Sequence, residues 1–288
     1  MVEVARGEFN GMDCLWLSNG LVRLAATTDR GPRIVFWGLD GGPNLLAELP
    51  DAVLPSPNGP LHLLGGHRLW YAPEVVETTY RPDAQPVTVT QTPDGAAFTQ
   101  PDDGTGIAKT IAVILSPDSP QATVAHTLQN TGSEPRDLAP WALSMCRLGG
   151  VALLPQPQAP VDSHGLWPNR HFSFWPYTDI TDKRIALRNR ISLIFVTPGP
   201  SNKLGYHNMH GWFAYQIDGT LFSKHFDKGT NVEFYFSDTS IELESLGKSV
   251  TLRPGEETHH TEVWRLQPAP SSVQTEDDAL ALASTLGL

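Results

Sequence analysis

A short segment between residues 61 and 74 carries the densest group of side chains that could do chemistry. It reads Leu-His-Leu-Leu-Gly-Gly-His-Arg-Leu-Trp-Tyr-Ala-Pro-Glu. A glycine pair lets a ligand approach the backbone, an arginine donates hydrogen bonds to hydroxyl or carboxylate oxygens, and an aromatic ring offers a flat apolar face to a sugar. The alternative is that the rings simply fill a core beside a glycine turn, and single histidines such as His62 and His67 are common in ordinary cores and surfaces. On the ligand interpretation, the candidate binding residues are Arg68, Trp70 and Glu74.

Two glutamates lie two residues apart in a segment that reads as a β-strand. Alternation along a strand places Glu242 and Glu244 on one face and Ile241 and Leu243 on the other. If the apolar pair points into the core, the carboxylates face a groove or solvent, and Glu242 is then a candidate binding residue. Two carboxylates that hydrolyse a glycosidic bond must straddle that bond, whereas residues i and i+2 of one strand lie side by side. The pair therefore does not predict a hydrolase, and solvated carboxylates are the alternative.

Aromatic residues are interleaved with polar ones between residues 164 and 177. This mixture is typical of sites for polyhydroxylated ligands, because rings stack on the ligand while amide and charged groups bind its hydroxyls. His171 and Trp175 are the candidate binding residues in this segment. A purely structural aromatic cluster is the rival interpretation.

The ten histidines raise the possibility of a metal site. His259 and His260 are adjacent, so on a strand they point to opposite faces and cannot both bind one ion. His207 and His210 have His-x-x-His spacing in a predicted loop, without a partner motif. We therefore predict no metal ligands and no cofactor. A metal-dependent cupin-like enzyme remains a lesser alternative, which a transition metal bound by His259 or His260 would support.

The elements that must position these residues are short strands. The chain has 288 residues with 25 Gly and 25 Pro scattered along it, and apolar residues recur with period two between turn dipeptides such as Asn19-Gly20 and Asp218-Gly219. This pattern predicts an all-β, antiparallel sandwich formed by a single domain over residues 1–288. One short helix is predicted at the C-terminus, where Thr275 and Asp278 have the spacing of a capping box.

The net charge and the cysteine content limit the classes of partner and the cellular compartment that we expect for this protein. A formal net charge of -11 repels phosphate backbones and anionic lipids, so we expect neither nucleic acid nor a membrane as partner. No run approaches the roughly 18 apolar residues of a membrane span. Cys14 and Cys146 cannot form a disulfide framework, which favours a reducing compartment and a cytoplasmic protein.

Three segments resemble those of a known superfamily. They are Leu61–Gly66, then Thr127–Gly132 followed by Asp137–Trp141, and finally Leu243–Ser245 followed by the Leu-Arg-Pro-Gly-Glu ending at residues 252–256. In order and approximate spacing they resemble a divergent branch of the galactose mutarotase-like, or aldose 1-epimerase-like, superfamily. The resemblance implies an antiparallel β-supersandwich with an open groove for a small-molecule sugar or sugar derivative. In its epimerases a glutamate takes the anomeric hydroxyl proton and a histidine protonates the ring oxygen.

The resemblance assigns a base but not an acid. Glu244 matches the glutamate base, whereas the strand on which the family carries its histidine reads Trp-Ala-Leu-Ser-Met-Cys-Arg-Leu-Gly at 141–149. His62, inside the double-glycine segment, and His67, just past it, are the candidate replacements for the acid. Two functions follow: an aldose 1-epimerase-like mutarotase, or a sugar-binding module without chemistry.

Overall fold

The computed structural model describes residues 1–100, 102–285, 287 and 288. They form antiparallel strands and a short C-terminal helix, which confirms the predicted all-β class. Neither helix of this described part is long and apolar enough to cross a membrane. The first elements along the chain are β1 (Glu3–Phe9), β2 (Met12–Ser18), β3 (Val22–Thr27), β4 (Arg33–Leu39), β5 (Glu48–Leu54), β6 (Leu61–Ala72), α1 (Val76–Thr79), β7 (Thr88–Thr92), β8 (Gly95–Gln100), β9 (Ile107–Leu115), β10 (Gln121–Asn130) and β11 (Arg136–Cys146).

The later elements complete the chain. They are β12 (Val151–Pro155), β13 (Phe172–Phe174), β14 (Ile185–Ala186), β15 (Ile191–Phe195), β16 (Asn202–Asn208), β17 (Trp212–Ile217), β18 (Thr220–His225), β19 (Thr230–Phe236), β20 (Ile241–Leu246), β21 (Val250–Leu252), β22 (Glu257–Pro268) and α2 (Glu276–Thr285).

The chain divides into two compact units. Unit 1 comprises Met1–Cys146 with Glu244–Val263, and unit 2 comprises Arg147–Leu243 with Trp264–Leu288. The single domain predicted over residues 1–288 stays a prediction. Both glutamates of the predicted strand lie in β20, where Glu242 belongs to unit 2 and Glu244 to unit 1.

Unit 1 is a sandwich of two antiparallel layers. One layer has the order β1-β2-β3-β4-β6-β11 with the end of β20 beside β11, and the other has the order β7-β8-β9-β10 with the start of β22 beside β10. Side chains alternate between faces along a strand, and in β10 every second residue from Ala122 to Asn130 is buried. Burying an aliphatic or aromatic side chain stabilises the fold by about 1.5–3 kcal/mol. The fully buried members of this unit include Leu17, Leu24, Ile34, Trp37, Phe98 and Val113.

Unit 2 pairs β16 with both β13 and β19, and a second group runs β14-β15-β12-β17-β18. Helix α2 packs Ala279 and Ala283 into a cluster that includes Leu193 of β15. The capping box is confirmed at its start. The Asp278 N–H donates to Thr275 Oγ1 at 3.2 Å, and the Thr275 N–H donates to Asp278 Oδ2 at 2.9 Å. The hydrogen bonds that the Asp278 carboxylate accepts, above all from the Thr275 hydroxyl and then from the N–H groups of Gln274 and Thr275, lower the pKa of Asp278.

The glycine pair of β6 is required by the chain's own backbone. Gly65 and Gly66 have φ of +80° and +74°, a region that L-residues rarely adopt. A Cβ on Gly65 would lie 1.8 Å from the carbonyl oxygen of Ala47, and one on Gly66 would lie 2.4 Å from that of Ile34. The space predicted for an approaching ligand is therefore occupied by neighbouring strand backbone.

We predict that Gly65→Ala destabilises the protein far more than Gly11→Ala. Gly11 has φ +75° and no atoms near the position that a Cβ would take. Alanine there should lower the free energy of unfolding only by the strain of the left-handed conformation, about 1–2 kcal/mol. Gly65→Ala adds an overlap with backbone that cannot repack, for a total of about 3 kcal/mol or more. Urea unfolding followed by circular dichroism measures both losses. Equal losses would show that the close approach to Ala47 does not constrain Gly65.

A second prediction concerns His225 of unit 2. Burial, and to a lesser extent the charge of Arg265, lowers the pKa of His225 from 6.5 to about 4. The unfolded chain therefore binds this proton more readily than the folded chain, and stability should fall as the pH drops from about 6.5 to about 4. His225→Gln should flatten this part of the stability profile, measured by urea unfolding at half-unit pH steps. An unchanged slope would mean that other groups cause the acid destabilisation.

Candidate functional site

Successive residues of β6 place different chemistry on its two faces. The ring of His67 contacts Ser144 and His126 in the interior of unit 1. The guanidinium of Arg68 instead lies against Met145 Sδ at 2.9 Å and the carbonyl oxygen of Leu63 at 3.0 Å. Alternation therefore separates these two predicted site residues.

The outward surface of β6, β11 and β20 brings together Arg68, Trp70, Trp141 and Glu244, which we call the Glu244 face. Trp70 and Trp141 are directly opposite in the register of β6 and β11, and their ring centroids lie 5.5 Å apart at 67°. The guanidinium of Arg68 lies 5.1 Å from the Trp70 ring centroid. The indole Nε1–H of Trp141 donates to Glu244 Oε2 at 2.7 Å. A cation, two aromatic rings and a carboxylate thus share one sheet face.

Most of the Glu244 face is shielded from water. Glu244 has no exposed surface, Arg68 is 3% exposed and Trp141 is 4% exposed, while Trp70 is half-buried. A buried carboxylate is costly unless it is hydrogen-bonded, and the Trp141 N–H supplies such a bond. Because an indole N–H only donates, Trp141 can orient Glu244 but cannot relay protons for it.

The segment after β6 forms the border of the Glu244 face. The ring of Tyr80 lies 5.5 Å from that of Trp70, and the Tyr80 hydroxyl donates to the exposed Glu74 carboxylate. The predicted binding residues Arg68, Trp70 and Glu74 are therefore linked through Tyr80, which the sequence did not single out.

Arg33 is a second residue that sequence reasoning missed. It is directly opposite Arg68 in the register of β4 and β6, and its Nη2 forms an ion pair with Asp83 at 2.7 Å. Arg33 and Arg68 both donate to the carbonyl oxygen of Leu63. One carbonyl therefore holds two guanidinium groups side by side.

The other predicted residues lie elsewhere. His62 is exposed, and its carbonyl oxygen accepts a hydrogen bond from Arg33. His171, Trp175 and Glu242 belong to unit 2. His171 is exposed and Trp175 is half-buried, with the ammonium of Lys203 4.7 Å from the Trp175 ring centroid.

The interior of unit 1 contains a polar cluster. His67, His126 and Glu262 have no exposed surface, and their potential ligand atoms all lie within 4.8 Å of one another. Sequence reasoning missed two of the three. The alternation of the sequence could have revealed both. His126 is one of the alternate residues of β10 that are buried, and Glu262 is one of those in β22, two residues before the buried Trp264. The further buried members of the cluster are Ser144, Ser245 and His260.

A separate cavity of about 600 Å³ opens on β1 to β3. Its lining includes Glu3, Trp16, Arg23 and Asp40, and the guanidinium of Arg23 lies 4.5 Å from the Trp16 ring centroid. It offers an aromatic ring and charges beside an open space, so it is a rival location for a polar ligand.

We predict that the Trp141–Glu244 hydrogen bond couples the two residues energetically. Trp141→Phe should lower the free energy of unfolding by about 1–3 kcal/mol, because it removes the donor from a buried carboxylate. The loss should be smaller in a Glu244→Gln background, with a coupling of at least about 0.5 kcal/mol in the double-mutant cycle. Trp167→Phe, at a side chain that is 69% exposed, serves as the control. Additive losses would show that the hydrogen bond contributes nothing specific.

Comparison with known proteins identifies the fold. No family model matches the chain, and no curated protein matches its sequence. Among solved structures, a galactose mutarotase-like protein from Lactobacillus casei is similar with a TM-score of 0.61 at 11% identity, over 92% of this chain and 100% of that one. Another from Clostridium acetobutylicum has a TM-score of 0.57 at 11% identity, over 93% and 99%.

Part of a longer protein is also similar in structure to this chain. A TPR-domain containing protein from Parabacteroides distasonis is similar with a TM-score of 0.64 at 13% identity, over 91% of this chain and 48% of that one. The chain thus spans about half the length of that protein. At such low identities the likeness establishes the fold alone: the chain has the galactose mutarotase-like β-sandwich fold.

Proposed function

We propose that this chain is a carbohydrate-binding protein whose sugar site is the Glu244 face. The observation that carries the proposal is the hydrogen bond from Trp141 to Glu244 beside the Trp70 ring and the Arg68 guanidinium. A sugar needs a flat apolar surface for its C–H face together with charged or amide groups for its hydroxyls. These four side chains supply both.

The roles within the site follow from chemistry and burial. Trp70 is the half-buried ring and therefore the surface on which a sugar stacks. Glu244 and Arg68 are 0% and 3% exposed, so a sugar reaches them once neighbouring side chains move, with Glu244 accepting from a hydroxyl and Arg68 donating to a second oxygen of the ligand. The galactose mutarotase-like fold supports a sugar as the ligand class.

Catalysis by Glu244 is the second candidate. Glu244 has no exposed surface, so it can act as a general base toward an anomeric hydroxyl only after side chains move to admit the sugar. The reaction also needs a proton donor at the ring oxygen. His67 lies on the opposite face of β6 from Glu244, and its ring is hydrogen-bonded to Ser144 and His126. His62 is exposed, whereas Glu244 is buried. This arrangement favours binding without anomerisation.

We predict that saturation-transfer proton NMR detects binding of an aldose or an aldose 6-phosphate. Glu244→Gln should weaken that binding at least tenfold, because it removes a charge-assisted hydrogen bond of about 1.5–3 kcal/mol. Glu3→Gln is the matched control, since Glu3 lines the rival cavity on β1 to β3. If the Glu3 variant loses binding and the Glu244 variant does not, the site is that cavity. Absence of binding to every sugar tested overturns the proposal.

We further predict that the protein does not accelerate anomer exchange. Proton NMR of freshly dissolved α-glucose and α-galactose should show the same equilibration rate with and without the protein. Acceleration that disappears in Glu244→Gln and persists in Glu3→Gln would instead establish Glu244 as the base of a mutarotase.

A further inference from the structure

The interior cluster of unit 1 is built from two chains of hydrogen bonds. In the first, Ser144 Oγ lies 2.9 Å from His67 Nδ1, His67 Nε2 lies 2.8 Å from His126 Nε2, and His126 Nδ1 lies 2.9 Å from the carbonyl oxygen of His260. In the second, His260 Nε2 lies 2.6 Å from Ser245 Oγ, which donates to Glu262 Oε1. The side chains concerned are 0–7% exposed.

The backbone carbonyl of His260 determines which ring nitrogens carry protons in the first chain of hydrogen bonds. A carbonyl oxygen only accepts, so Nδ1 of His126 carries the proton and Nε2 of its neutral ring has a lone pair. His67 therefore donates from Nε2, and its Nδ1 accepts from the Ser144 hydroxyl. The Nε2 lone pair of His126 thus points at the single proton between the two rings.

A metal ion can replace that proton at little cost to the surrounding hydrogen bonds. If the His67 proton moves from Nε2 to Nδ1, the Ser144 hydroxyl becomes its acceptor, since a hydroxyl serves either way. Both Nε2 atoms then present lone pairs to the same point. A metal-binding histidine usually donates its other N–H to a carbonyl or another polar oxygen, and ligating carboxylates are themselves hydrogen-bonded. His67, His126 and Glu262 have these partners in Ser144, the His260 carbonyl and Ser245.

We propose that His67, His126 and Glu262 bind a divalent first-row transition-metal ion in the interior of unit 1. Two imidazoles and a carboxylate are a donor set for such ions rather than for Mg²⁺ or Ca²⁺, which prefer oxygen. The separation of 2.8 Å between the two Nε2 atoms corresponds to an angle of about 85° at an ion bound at about 2.1 Å. A tetrahedral zinc ion needs a wider angle of about 109°, so the two Nε2 atoms move apart slightly when it binds.

Occupation requires the ligand atoms to move by little more than an ångström. In a tetrahedral site with bonds of about 2.1 Å, the ligand atoms lie about 3.4 Å apart. The potential ligand atoms here lie within 4.8 Å of one another, so any pair that is too far apart must close by at most about 1.4 Å. The dication also supplies positive charge beside the carboxylate of Glu262, which has no exposed surface.

The ion would join the two layers of unit 1. His67 lies in β6 of one layer, while His126 and Glu262 lie in β10 and β22 of the other. Because these ligands are buried, the ion acts on stability and enters during folding rather than from the surface. This role is independent of the sugar site, which lies on the opposite face of β6.

The test is refolding of the full chain from guanidinium with EDTA, with one equivalent of ZnCl₂, or with one equivalent of MgCl₂. We expect one zinc per chain after desalting, measured by atomic emission, and a higher Tm than for the protein refolded with EDTA or MgCl₂. Refolding with CoCl₂ should give visible d–d absorption bands. A wild-type chain that refolds but retains no zinc overturns the proposal.

Variants assign the ligands. His126→Gln and Glu262→Gln should lose the bound zinc, whereas His259→Gln, at an exposed neighbouring histidine, should keep one zinc per chain. Ser144→Ala leaves all three ligands in place but removes the partner of His67 Nδ1, so it should weaken zinc binding 10- to 100-fold. This variant keeps the proposal testable if the ligand variants fail to fold. Undiminished zinc binding by either folded His126→Gln or Ser144→Ala contradicts the assignment.

Discussion

Alternation of side chains across a strand is the constraint on which the chemistry of unit 1 depends. In β6 it sends His67 into the interior and Arg68 to the outer face, and in β20 it sends Ser245 inward and Glu244 outward. Two consecutive residues of each strand thus serve two different polar environments. A shift of register by one residue would exchange them and leave charges facing apolar partners.

The buried polar groups of these two environments have different hydrogen-bond partners. On the outer face, Glu244 is stabilised by an indole donor from a strand far away in sequence. In the interior, Glu262 and the histidines depend on serine hydroxyls and a backbone carbonyl. Buried polar groups stabilise a fold only when every member has a partner. The serines therefore matter as much as the titratable residues, although nothing in their chemistry draws attention in a sequence.

The sequence predicted those features that depend on local pattern. Period-two alternation predicted the antiparallel class, and the spacing of Thr275 and Asp278 predicted the helix start. Features that depend on strand pairing were out of reach: Trp141 meets Glu244 across 103 residues, and Ser144 meets His67 across 77. His126 and Glu262 could have been found, because a polar residue in the buried phase of a strand is unusual. The division of the candidates between the two faces of β6 follows only once the strand and its register are known.

The glycine pair of β6 has a consequence for tracing distant relatives. Both glycines have positive φ and leave no room for a Cβ beside the carbonyl oxygens of Ala47 and Ile34, so a substitution at either position acts through folding, whatever the ligand. A search that relies on the Gly-Gly motif will therefore gather proteins that share this close approach of backbone segments, whether or not they share a ligand.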